Sequence, residues 1–219
     1  MDAELIRRMS QLFLGDSVPK ILITGFEPFD GFTVNPSEEV AKLLDDTRVN
    51  EYSIISLVLP LDYKRAMNIL DVALNKHKPD YILCLGQANR ASISIERLAV
   101  NAISTKRPDN HENIPESDVI DYDGPVAYFA NIDPLPLVQA LLDNGIPAHT
   151  SYHAGIYGCN WLLYNVMDWI ENSAPDVKAT FIHLPPLPIQ AIEKDMMSLA
   201  TMPLDFQMNA MEIIIKNLT

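Results

Sequence analysis

An α/β fold, with a mainly parallel sheet covered by helices on both faces, is what this 219-residue sequence predicts. Three observations carry the expectation. Short, wholly apolar runs such as Tyr81-Ile82-Leu83-Cys84-Leu85 have the length and composition of buried strands. They alternate with segments of helical period that open on good N-caps, as βαβ units do. No repeat, low-complexity stretch or linker divides the chain, so one domain is expected over residues 1–219.

Taken in order, Asp2 to Phe13 places Leu5, Ile6, Met9, Leu12 and Phe13 at helical spacing before Gly15-Asp16-Ser17. Residues 1–18 are therefore expected to form a helical extension, packed on the main body or on a neighbouring subunit. Lys20 to Thr24 reads as the first buried strand. Asn35-Pro36-Ser37-Glu38 supplies an N-cap, a proline at the first helical position and a glutamate three residues on, ahead of Val40, Leu43 and Leu44. Ser53 to Leu59 is the next strand. Asp62 caps a helix with Ala66, Ile69, Leu70, Ala73 and Leu74 inward, and Pro79 stops it. Tyr81 to Leu85 is a strand ending at Gly86.

Between Pro108 and Gly124 the rhythm breaks: six acidic residues and two prolines without a period predict a long surface loop. Asp133-Pro134 restarts a helix that ends at Asn144-Gly145. A strand near Ala148 to Tyr152, a helix opening at Cys159 and a strand from Ala179 to Leu184 follow. Two helices, each opened by a proline (Pro188 and Pro203), finish the chain.

Composition narrows the function. A hydrophobic content of 48% with 21% charged residues is that of a packed globular protein. A formal net charge of −13 opposes a nucleic-acid or anionic-membrane partner. Two widely separated cysteines make neither a disulfide framework nor a zinc site. The N-terminus lacks the basic-then-apolar pattern of a secretory signal, and no apolar stretch approaches the ~18 residues of a membrane span. The expectation is a soluble cytoplasmic protein with free thiols.

The chemistry centres on Cys159, delivered by the loop Ala154-Gly155 to the start of an apolar-striped helix. Free N–H groups and the partial positive charge of a helix N-terminus favour a thiolate there. Small neighbours, Gly155 and Gly158, leave backbone donors open to an oxyanion. The competing reading is that Cys159 is a packed core thiol, as Cys84 between Leu83 and Leu85 is expected to be. His183, at the end of an apolar strand, stands where parallel sheets present functional groups. His77 and His111 lie in polar surface contexts. His149 and His153 lack the spacing to share a metal. Glu96, a carboxylate inside an apolar-rich run, is open to two readings: a salt bridge to Arg97 or Arg90, or the group that orients a catalytic imidazole.

The stretches Ile23-Thr24-Gly25-Phe26-Glu27-Pro28-Phe29, Gly86-Gln87-Ala88, Glu96 to Asn101, Arg107-Pro108-Asp109-Asn110, Ala154 to Asn160 and Phe181-Ile182-His183-Leu184-Pro185 resemble the pyrrolidone carboxyl peptidases, or type I pyroglutamyl peptidases. The matches run in order from about Ile21 to Leu199, which makes the resemblance specific. It implies a three-layer α/β/α sandwich around a mainly parallel, partly mixed twisted sheet. It also implies a cysteine exopeptidase that removes N-terminal pyroglutamate from peptides, with no metal or cofactor, in the cytoplasm, as a homo-oligomer (tetramer or dimer). By that resemblance Cys159 is nucleophile, His183 general base and acid, and Glu96 the orienting carboxylate. Phe26, Phe29, Gln87, Lys106 and Tyr157 are assigned to substrate binding.

The chain departs from the family pattern at four places. Asp30-Gly31 replaces two glycines, and the Gln87–Glu96 segment is one residue short. Lys106-Arg107 stands where arginine and then an apolar residue are expected. Gly158 replaces a bulkier apolar residue. Two rivals remain at this stage: a hydrolase of the same fold acting on another lactam or N-acyl amide, and a non-catalytic oligomer or binding protein on the same scaffold.

Overall fold

The computed structural model describes residues 18–218. The helix expected over Asp2 to Phe13 lies outside them. In chain order the elements are β1 (Lys20–Phe26), α1 (Pro36–Leu44), β2 (Arg48–Val49), β3 (Tyr52–Leu59), α2 (Tyr63–His77), β4 (Tyr81–Gln87), β5 (Ile93–Glu96), β6 (Leu98–Val100), β7 (Ala127–Phe129), α3 (Pro134–Asp143), β8 (Ala148–Ser151), α4 (Gly158–Ser173), β9 (Lys178–Leu184), α5 (Pro188–Glu193) and α6 (Leu204–Lys216).

The expected caps are present. Asn35, Asp62 and Asp133 each accept a hydrogen bond from a backbone N–H in the first turn of α1, α2 and α3, an arrangement of about 1 kcal/mol apiece. Helix α2 ends at Lys78, whose left-handed backbone returns its N–H to the carbonyl of Leu74, so the turn closes before Pro79. The stretch 101–126 carries no regular element and is pinned from within. Asn101 accepts from Ile120 and Asp121 and donates to the Asp121 carbonyl, while Asp109 accepts from His111 and Asn113.

Seven strands form one sheet in the order β2-β3-β1-β4-β9-β5-β8, and β6 with β7 makes a separate two-stranded ribbon. Strands β3, β1, β4 and β9 are mutually parallel. β5 pairs antiparallel with β9 and parallel with β8, so the last two strands run the opposite way. The cause is length. Only residues 88–92 join β4 to β5, too few for the crossover a parallel return requires.

Alternation along the strands sends two sets of side chains to opposite faces. Ile21, Ile23, Leu83, Leu85, Ile182 and Leu184 pack with α1, α3 and α6 through Val40, Leu137, Leu141, Met211 and Ile214. Leu22, Ile82, Cys84 and Phe181 pack with α2 and α4 through Leu70, Leu74, Leu162, Val166 and Ile170. Both layers are apolar, with most of these side chains fully buried. The result is helices on both faces of a mixed sheet. Among the described residues no helix is long and apolar enough to cross a membrane.

Candidate active site

The second face carries the polar cluster. His183 follows Phe181 on the same side of β9 and is buried. Ser94 lies opposite it in the antiparallel pair and Glu96 opposite Phe181, so Glu96 and His183 are diagonal neighbours on one face. His183 Nδ1 meets Glu96 Oε1 at 2.7 Å. Arg90 Nη1 donates to the same oxygen at 2.8 Å, and its Nη2 donates to the carbonyl of His153. The two readings of Glu96 therefore coexist: it holds a histidine and pairs with Arg90. Arg97 turns away to the carbonyl of Ala130 and the ring of Phe129.

Cys159 reaches this face from α4. Gly86 is the register partner of His183 across β4 and β9. A Cβ at Gly86 would stand 2.9 Å from Cys159 Sγ and 2.7 Å from Phe181 Cζ. The sulfur thus sits against the β4 backbone, on the strand beside the histidine. Among the described residues no hydrogen bond joins the thiol to His183; free enzymes commonly show such contacts long, to be tightened by substrate. Three N–H groups, those of Gly158, Cys159 and Asn160, precede the first bond of the helix, from Trp161 N–H to the carbonyl of Tyr157. The Asn160 side chain accepts from Val100 N–H and donates to the carbonyls of Val100 and Ala102, fastening the helix start to β6.

The protonation pattern departs from the thiolate expected from sequence. Burial pushes the Cys159 thiol up to about 12, with the Glu96 carboxylate adding to the rise; Arg107 and Arg90 oppose it. Desolvation acts against the helix N-terminus and favours the thiol. Burial also lowers His183, against the hydrogen bond and charge of Glu96, so the ring is neutral at neutral pH. For Glu96 burial acts upward, yet the hydrogen bond from His183, with help from Ser151 and the charge of Arg90, holds the carboxyl well below the usual carboxylate range. An ionised Glu96 can only accept. Nδ1 of His183 therefore carries the proton, and Nε2 keeps the lone pair. Cys84, fully buried, is pushed up to about 12 by its apolar surroundings.

Around this centre lie the residues assigned to substrate. Phe26 is buried, with its ring edge 3.8 Å from where a Gly158 Cβ would be, and Phe29 is half-buried on the loop after β1. Gln87 ends β4, buried, its Oε1 accepting from Gln190 Nε2 at 2.9 Å. Tyr157 stands at the N-cap of α4 and donates its hydroxyl to the carbonyl of Pro108 at 2.6 Å. Lys106 is exposed. Its neighbour Arg107 makes the ring contacts, with its guanidinium 4.0 Å from the centroid of Tyr157 and 5.8 Å from that of Phe29. A separate cavity of about 580 Å³ opens beyond Tyr63 and Trp161, lined also by Ile103, Asp109 and Asn113.

A sequence model described as pyroglutamyl peptidase matches residues 19–219. The chain belongs to the pyroglutamyl peptidase family. Within it, the chain is similar to the pyrrolidone-carboxylate peptidase of Bacillus subtilis strain 168, 41% identical over 182 residues, or 83% of this chain and 85% of that protein. It is also similar to that of Thermosipho africanus, 40% identical over 198 residues, 90% of this chain and 95% of the other. Among solved structures, the pyroglutamyl peptidase I of Bacillus amyloliquefaciens superposes with a TM-score of 0.85 at 38% identity, covering 90% of this chain and 93% of that one. The pyrrolidone carboxyl peptidase of Thermococcus litoralis gives 0.86 at 37%, covering 90% and 92%.

Several residues around this candidate site escape sequence reasoning. Asn160 is named there only as part of a motif, and nothing local signals that its amide bridges to β6. Ser151 and Gln190 come from distant segments, and their roles exist only once β8 lies beside β5 and α5 beside β4. For Gly158 there is a packing reason: a Cβ would stand 2.6 Å from Leu61 Cδ1, so Leu61 occupies the space a larger residue would need.

Proposed function

We propose that the chain is a cysteine exopeptidase that hydrolyses the bond between an N-terminal pyroglutamyl residue and the rest of a peptide. In this reading His183 Nε2 removes the Cys159 proton as sulfur attacks the pyroglutamyl carbonyl carbon, and the N–H groups at the start of α4 receive the oxyanion. The imidazolium, held by ionised Glu96, gives its proton to the leaving amine. Water activated by the same nitrogen then cleaves the thioester, releasing pyroglutamate and restoring the thiol. A thiol that begins neutral needs a base during attack rather than a standing ion pair, which suits a lowered His183.

The observation that carries the reading is the junction of Glu96, His183 and Cys159 on one sheet face, each supplied by a different element, in a chain of this family. Pyroglutamate lacks an ammonium group, and the aromatic surroundings of Phe26, Phe29 and Tyr157 suit such a neutral ring. Two free cysteines fit a reducing cytoplasmic setting. Exposed apolar side chains such as Val126, Phe129 and Leu135 fit burial in a homo-oligomer, dimer or tetramer. Release of a fluorogenic amine from a pyroglutamyl amide tests the activity. Cys159→Ala is expected to lower turnover to the blank rate, and retained turnover would defeat the assignment.

A further inference from the structure

Arg107 is a cation set among aromatic rings beside a reaction centre whose expected substrate is neutral. Its guanidinium lies over Tyr157 and Phe29, two of the residues assigned to substrate binding. Asp30 binds its Nη2, and among the described residues this is the one hydrogen bond the side chain makes. The other donors of the fork are free, and 43% of the side chain is exposed, so a ligand can reach them. Ring stacking at both sides holds the fork in place and limits the ordering that binding would otherwise require. Its charge is felt at Cys159 and at Tyr157, where it opposes the upward shifts.

We propose that Arg107 determines specificity in the acyl slot, donating a hydrogen bond to the ring carbonyl of the pyroglutamyl group and repelling the protonated amine of an uncyclised or prolyl N-terminus. The proposal rests on the reading that this site takes pyroglutamyl peptides. A guanidinium bond to a carbonyl is charge-assisted, whereas an ammonium brought to the same place meets a like charge at short range. Asp30 offsets part of this. Its carboxylate is engaged by Arg107, and Lys194 Nζ donates to its backbone carbonyl at 3.1 Å, so two cations flank one carboxylate and the local balance is positive. Apolar walls already disfavour the charged prolyl amine by desolvation, and a fixed guanidinium adds a donor for the lactam carbonyl and a like charge against the amine.

The test compares the wild-type protein with Arg107→Met and Arg107→Lys on pyroglutamyl and prolyl fluorogenic amides, with thermal unfolding as the control for folding. Arg107→Met is expected to raise KM for the pyroglutamyl amide about tenfold, the worth of one charge-assisted bond, with the loss falling on KM rather than kcat. The pyroglutamyl-to-prolyl ratio of kcat/KM should fall by at least as much. Arg107→Lys keeps the charge but not the fork; it should still reject the prolyl amide while KM for the pyroglutamyl amide rises several-fold. A folded Arg107→Met with an unchanged ratio overturns the proposal. So does an Arg107→Lys protein with wild-type KM, should the methionine variant not fold. If the wild-type protein releases no amine from the pyroglutamyl amide, the functional reading itself has failed, before Arg107 is in question.

Discussion

The hydrogen bond between His183 and Glu96 decides which nitrogen can act. Because Glu96 is held ionised, Nδ1 keeps its proton and Nε2 is the base; an amide in place of the carboxylate removes that preference. Glu96→Gln is expected to lower kcat on the order of 10⁴-fold, as when a triad carboxylate becomes an amide, with KM moving far less. A loss of less than tenfold would assign Glu96 to the Arg90 ion pair alone. The pH profile belongs at this scale too. His183 must be neutral to act, and its lowered pKa keeps it so below the ordinary histidine value of about 6.5. The acid limb of kcat/KM should therefore fall below that value. No further rise should accompany thiol ionisation between pH 7 and 9, since burial carries Cys159 to about 12. A limb centred above 7 would contradict the neutral pair.

At the scale of the elements, the close packing of α4 on β4 places the sulfur. Gly86 permits it, because a methyl group there would overlap both Phe181 and Cys159 Sγ. Gly86→Ala is expected to cost about 1–3 kcal/mol of stability, the range for overpacking a full core, and to move the thiol off the strand. Activity should fall much further than the melting temperature suggests. Wild-type turnover in this variant would show that the contact with β4 is not needed.

The helix period of α2, except for Ile69, which is exposed, and the caps at Asn35, Asp62 and Asp133 were readable from local sequence, because capping and amphipathicity act over three or four residues. The direction of β5 was not readable. The run Ile93–Glu96 is not marked as a strand by its own four residues; once its bounds are known, the five-residue link from β4 excludes a parallel return.

For the whole molecule, the buried Glu96–His183 pair ties stability to pH. Glu96 is lowered from its ordinary value to about 2, so its contribution is complete above about pH 4.5 and is lost as pH falls toward 2. His183 is lowered as well; the fold favours its neutral form, and that contribution declines as pH drops below about 6.5. Both act in one direction, so the melting temperature should fall steadily on acidification from pH 7 to 3. Glu96→Gln should flatten this dependence, and a variant as acid-sensitive as the parent would place the linkage elsewhere among the carboxylates.

The sequence by itself determined the α/β class, most element boundaries, the family resemblance and the three residues proposed for catalysis. These are written in periodicity, caps and ordered motifs, all local in the chain. Tertiary structure alone decided that β5 lies between β8 and β9, that Glu96 serves Arg90 and His183 through one oxygen, and that Arg107 rather than Lys106 enters the aromatic cluster. It also set the desolvation that pushes the thiol up, because desolvation depends on everything packed around the sulfur and no neighbour in sequence records it.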